Sequence, residues 1–264
     1  MFWWLMKHVL LGPFLRLFFH PEAEGLENIP EEGGAILAGN HQSFLDNVLM
    51  PLVIPDRKVV FLGKAEYFEK WYMRWFFKGA AMIPIKRGGG SASEAALDTA
   101  VEALRAGKLI GIFPEGTRSP DGRLYRGKSG VARMALEAGV PVIPVGITGT
   151  FEAMPYHRKF PRPYPVIIRF GAPLTFERYR EMPGDRFLYR AVTDEIVYEI
   201  MMLTGQEYTD EDASRVKKSM EKKKRGKDSE EPEVAEEPVV QVDAPAVDQS
   251  AEHTSSDAPL PSDS

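Results

Sequence analysis

Short apolar runs alternate with amphipathic segments along this chain, and that alternation limits the folds open to it. The runs starting at Ala35, Lys58, Leu109, Val142 and Val166 are rich in Val, Ile, Leu and Phe and have the length of buried strands. Between them lie helical patterns. Ser91 to Ala106 opens on a capping box (Ser91 with Glu94), places Leu97, Val101 and Leu104 on one face, and stops at Gly107. Val131 to Ala138 is a short helix closed by Gly139, and Asp185 to Leu203 carries Leu188, Val192, Ile196 and Ile200 along one side. This βαβα rhythm predicts a single α/β domain with a largely parallel or mixed sheet flanked by helices. At 264 residues and 44% hydrophobic, the chain can bury one core and has material left at its ends. It has no cysteine, which excludes disulfides, thiolate zinc sites and cysteine nucleophiles. No internal repeat is present.

The two ends differ from the middle. The net charge of −5 comes from the carboxyl-terminal part: residues 1–207 hold 25 Lys and Arg against 23 Asp and Glu, whereas residues 208–264 hold 8 against 15. Residues 214–227, around Lys222-Lys223-Lys224-Arg225, are basic, and residues 228–264 are acidic and rich in Pro, Ser and Ala. Such a composition cannot bury enough apolar surface to offset ordering entropy, so 208–264 is expected to be a charged, disordered tail. Its basic run suits either anionic lipid or a solvated linker. At the other end, Met1 to Phe19 is dense in Trp, Phe and Leu, but Lys7, His8, Pro13 and Arg16 interrupt it. It makes a poor spanning helix and lacks the plan of a secretory signal. An amphipathic segment lying in the bilayer interface fits better, and Trp71 to Lys78 has the same character. The expected organisation is a membrane-associated segment (1–29), an α/β domain (30–207) and the tail.

Two polar turns follow predicted strands. The first is Asn40-His41-Gln42-Ser43-Phe44-Leu45-Asp46. On one regular helix, residues five apart point about 140° away from each other, so His41 and Asp46 could not meet there. With Ser43 as the N-cap, His41 would lie in the turn before a helix and Asp46 in its first turn, within reach. Taken alone, the segment is equally an Asn-His turn with a surface aspartate. The second turn is Phe113-Pro114-Glu115-Gly116-Thr117-Arg118-Ser119, where Arg118 offers a planar fork of donors suited to phosphate. Alone, it also reads as a surface turn with a salt bridge. Two such turns at the carboxyl edge of one parallel sheet can face a single crevice.

Together these heptads resemble the first and third signature blocks of the glycerolipid acyltransferases, above all the 1-acylglycerol-3-phosphate (lysophosphatidic acid) O-acyltransferases. Gly63-Lys64-Ala65-Glu66, running on to Ile85-Lys86-Arg87, resembles the second block, and Val142-Ile143-Pro144-Val145 the fourth. The resemblance covers about residues 30–170. It implies acyl transfer from a thioester, either acyl-coenzyme A or an acyl-carrier protein, to a lysophosphatidic acid acceptor, with no resident cofactor and no metal. It further implies His41 as general base, Asp46 as its orienting carboxylate, Arg118 and Arg87 as phosphate ligands, and Glu115, Gly116 and Thr117 around the acceptor. The partners expected are membrane lipids, and the place is the cytoplasmic face of a membrane.

Other chemistries have weaker support. Gly122 to Ser129 matches the phosphate-loop pattern G-x-x-x-x-G-K-[ST], but such a loop should follow its strand directly, and Pro114 to Asp121 intervene. His8, His20, His157 and His253 have no ligand spacing. A nucleic-acid surface is not expected from a body whose charge is nearly balanced and has no basic stripe.

Overall fold

The structure, a computed structural model, describes residues 2–64, 83–85, 91–179, 182 and 184–228. In chain order the elements are α1 (Phe2–Leu5), a π-helical turn (Met6–Leu10), α2 (Gly12–Phe19), β1 (Glu22–Glu24), β2 (Ala35–Gly39), α3 (Asp46–Val53), β3 (Val59–Lys64) and β4 (Ile83–Ile85). There follow α4 (Ser91–Arg105), β5 (Leu109–Ile112), β6 (Leu124–Tyr125), α5 (Gly130–Ala138), β7 (Val142–Thr148), α6 (Thr150–Ala153) and β8 (Ile167–Phe170). The chain continues through α7 (Arg186–Thr204), β9 (Tyr208–Thr209) and α8 (Ala213–Asp228).

Seven strands form one sheet in the order β1-β8-β7-β2-β5-β3-β4. The five from β7 to β4 run parallel, β8 is antiparallel to β7, and β1 is parallel to β8. The mixed α/β architecture therefore agrees with the rhythm of the sequence. Strand β2 is central and every one of its residues is buried. Its pleat divides the core: Ala35 and Leu37 face a layer with Leu15 and Phe19 of α2 and Leu49, Met50 and Leu52 of α3. Ile36 and Ala38 face the opposite layer, formed by α4, α5 and α7. Helix α7 begins at Asp185, whose carboxylate accepts the Leu188 N–H at 2.7 Å. It buries Leu188, Val192, Ile196 and Ile200, the stripe visible in its sequence, each worth roughly 1.5–3 kcal/mol of transfer free energy.

Two boundaries differ from the sequence reading. Ser43 does not cap α3; the helix starts at Asp46, and the Ser43 hydroxyl donates to the Met154 carbonyl at 2.7 Å. Residues 208–228, expected within the disordered tail, instead form a strand and a helix. Strand β9 pairs with β6, and Asp212 accepts the N–H groups of Ser214 and Arg215 to start α8. Averaging charge over the whole carboxyl-terminal segment hid that local cap. Residues 229–264, the aromatic cluster 71–78 and Arg87 lie outside the described residues.

Candidate functional site

The carboxyl ends of β2 and β5 are neighbours, with Ala38 level with Ile112, so the two polar turns leave the sheet side by side. Sheet order reverses about β2, and such a switch point opens a crevice above the strand ends. In the first turn the chain bends between β2 and α3, bringing His41 back over Asp46. His41 Nδ1 lies 2.9 Å from Asp46 Oδ2. The same oxygen accepts the N–H groups of Gln42 at 2.7 Å and Ser43 at 2.8 Å. The carboxylate thus ties down the turn before its own helix, whose first N–H groups bond to the carbonyls of Ser43, Phe44 and Leu45 and to no capping side chain. Asp46 is wholly buried and His41 partly exposed. An oxygen already accepting two N–H bonds requires a donor from the imidazole, which puts the ring proton on Nδ1 and leaves the Nε2 lone pair free. His41 lies outside the helix that carries Asp46, as the five-residue spacing demands.

The second turn supports the first. The Phe113 ring stacks on the His41 imidazole, with centroids 4.0 Å apart and planes 11° apart. Phe61 stacks behind Phe113 at 5.8 Å, which is possible because Gly111 has no Cβ: one there would lie 2.5 Å from the Phe61 ring. Glu115 is buried, only 2% exposed, and accepts the His41 N–H at 2.8 Å and the Tyr125 N–H at 3.1 Å. Burial pushes its carboxyl up to about 8, against the pull of those two bonds. The Ser119 N–H returns a bond to the His41 carbonyl at 2.7 Å. Gly116 turns the chain at φ +74°, and Lys128 packs close against it. Thr117 and Arg118 are half-buried, and the Arg118 guanidinium lies over the Tyr156 ring, 5.8 Å from its centroid. The structure thus brings together His41, Asp46, Glu115, Gly116, Thr117 and Arg118. Chemically, it presents an oriented imidazole base beside an arginine and a lysine that can face an anion.

Residues 20–148 match the family model described as Acyltransferase, a stretch that includes both polar turns. That stretch is similar to the acyltransferase family. The chain is 34% identical over 139 residues to a chloroplastic 1-acyl-sn-glycerol-3-phosphate acyltransferase of Brassica napus, which covers 52% of this chain and 40% of that one. It is 29% identical over 124 residues to the 1-acyl-sn-glycerol-3-phosphate acyltransferase of Bacillus subtilis, covering 47% and 60%. The chain thus spans about half the length of such curated relatives. The crystal structure of the 1-acyl-sn-glycerophosphate (LPA) acyltransferase PlsC from Thermotoga maritima superposes with a TM-score of 0.58 at 29% identity, covering 72% of this chain and 74% of that one.

Several residues of this site carried no signal of their own. Asn40 is buried and clasps both backbone groups of Ile147 at 2.8 Å, extending the ladder between β2 and β7 by one side chain. It also donates to Gln206, and Gln206 and Gln42 both donate to the Gly122 carbonyl. Phe113 opens the second heptad, which carries no sign that its ring stacks on His41. Lys128 was attached to the phosphate-loop pattern, which the structure breaks: Leu124 and Tyr125 inside it form β6. The Lys128 N–H instead donates to the Pro114 carbonyl at 2.7 Å, holding its side chain at Gly116. No pattern within the chain marks such tertiary roles.

Proposed function

We propose that the chain transfers a fatty acyl group from an acyl thioester to the 2-hydroxyl of 1-acyl-sn-glycerol-3-phosphate, forming phosphatidic acid for phospholipid synthesis. The observation that carries this reading is the buried Asp46 holding His41 by Nδ1 at the mouth of the site. His41 Nε2 takes the proton from the acceptor hydroxyl as its oxygen attacks the thioester carbonyl. The new ester C–O bond forms, the C–S bond breaks, and the departing thiolate takes the proton back from the imidazolium. Asp46 stabilises the imidazolium and keeps the tautomer, the role of the carboxylate in a triad. No acyl-enzyme is needed because the thioester is already activated. Arg118, with Arg87, holds the acceptor phosphate, and Gly116 and Thr117 line its place. Glu115 acts one step back, holding the His41 and Tyr125 backbones together.

The thioester is a substrate here, from coenzyme A or a carrier protein. We place the enzyme at the cytoplasmic face of a membrane, held peripherally or monotopically. No described helix is long and apolar enough to cross a bilayer. The amino-terminal helices bury Leu15 and Phe19 but leave Trp4, Val9, Leu10, Phe14 and Leu17 exposed, a surface suited to the bilayer interface. The test is an acyl-transfer assay with labelled donor and a panel of lysolipid acceptors. Label should enter phosphatidic acid; label entering only a diacyl phosphodiester lipid would move the assignment to another lysophospholipid acceptor.

A further inference from the structure

The crossover between β7 and β8 is basic and exposed. From Ala153 to Phe176 there is no Asp or Glu, while Arg158, Lys159, Arg162 and Arg169 are present. Residues 157–165 are all exposed. Phe160, at the centre, is 79% exposed, and Tyr164 is exposed as well. Pro155, Pro161, Pro163 and Pro165 restrict the backbone, so little conformational entropy remains to be lost on docking. Both ends of the loop are tied down. The Ser43 hydroxyl donates to Met154, Arg162 N–H donates to Ala153, and Arg162 Nε donates to Glu152. Tyr156 lies under Arg118. At the far end, Val166 N–H donates to the Phe19 carbonyl at the end of α2. The loop therefore stands between the His41 turn and the apolar amino-terminal helices, on the sheet face that those helices cover.

We propose that residues 155–165 form a second lipid-contacting surface. Phe160 enters the interface of an anionic bilayer, and Arg158 and Lys159 meet its head groups. The occupant is argued from charge and chemistry: a protruding aromatic flanked by cations, in a stretch with no carboxylate of its own although Glu221 accepts the Tyr156 hydroxyl, suits anionic lipid, and the neighbouring α2 presents Phe14 and Leu17. The proposal rests on the lysolipid reading above, because it applies the mouth of that site to the membrane holding the acceptor.

The test uses the full chain and vesicles of phosphatidylcholine with and without phosphatidylserine. Arg158→Glu/Lys159→Glu should weaken partitioning onto the anionic vesicles by at least about tenfold. Its rate on a short-chain, water-soluble lysophosphatidic acid should equal that of the parent. Because the chain has no cysteine, Phe160→Cys can be labelled alone with an environment-sensitive dye. Its emission should shift blue on anionic vesicles. The same dye at Phe187→Cys, 83% exposed on α7 against the other sheet face, should not respond. Unchanged partitioning with no shift at position 160 overturns the proposal. So does unchanged partitioning with a lower rate from an acyl-carrier-protein donor, which would mark a docking site for an acidic protein. Loop-dependent partitioning by a chain that acylates no lysolipid would support the surface and overturn the reaction.

Discussion

At the scale of single residues, the site depends on what each polar group is bonded to. His41 Nδ1 points at a buried carboxylate that also anchors two backbone N–H groups, so the base is held before any substrate arrives. Glu115 lies behind it with a carboxyl that burial raises from the ordinary 4.5 to about 8. In the unfolded chain that carboxyl ionises near its ordinary value, whereas the folded protein keeps the proton up to about 8. Between those limits the native state binds more protons, so Glu115's contribution to stability falls as pH rises, by up to about 1.4 kcal/mol per pH unit. Glu115→Gln should flatten this dependence. Denaturant midpoints measured at pH 5 and pH 8 for parent and variant check it, and an unaltered slope in the variant would refute the assignment.

At the scale of elements, the site is the meeting of two strand ends. Asn40 anchors the first of these ends to β7 by continuing the ladder to Ile147 with its side chain. Asn40→Ala leaves a buried N–H and a buried carbonyl without that partner, at about 1–3 kcal/mol each. A loss of roughly 2–4 kcal/mol by urea unfolding is expected, with acyl transfer falling as the His41 turn loosens. Much of this level was legible in the sequence. The apolar runs of β2, β5 and β7 and the stripe of α7 announce buried elements through their periods, and the five-residue gap between His41 and Asp46 already required a turn between them. What could not be read was tertiary. Glu22–Glu24 alternates too little apolar surface to signal a strand and forms one at the sheet edge by pairing with β8. Ser43 had the composition of an N-cap, but its hydroxyl reaches across to the Met154 carbonyl and the helix opens three residues later, at Asp46. Lys128 gained its place from a fold-back that no local pattern records.

At the scale of the molecule, one face of the sheet gathers α2, α3, the His41 turn and the exposed basic loop, while α4, α5 and α7 cover the other. An enzyme whose acceptor is a membrane lipid gains from such an arrangement, because its mouth and its apolar surfaces lie on the same side. Positioning then replaces diffusion through water as the way the acceptor hydroxyl reaches Nε2. Every part of this account turns on His41 acting as the base. The deciding measurement is the initial rate of phosphatidic acid formation from 1-acylglycerol-3-phosphate and an acyl thioester, by parent and His41→Ala protein at saturating substrate. The account predicts a loss of about 10²–10⁴-fold, with circular dichroism unchanged. A His41→Ala enzyme within a few-fold of the parent rate would contradict it.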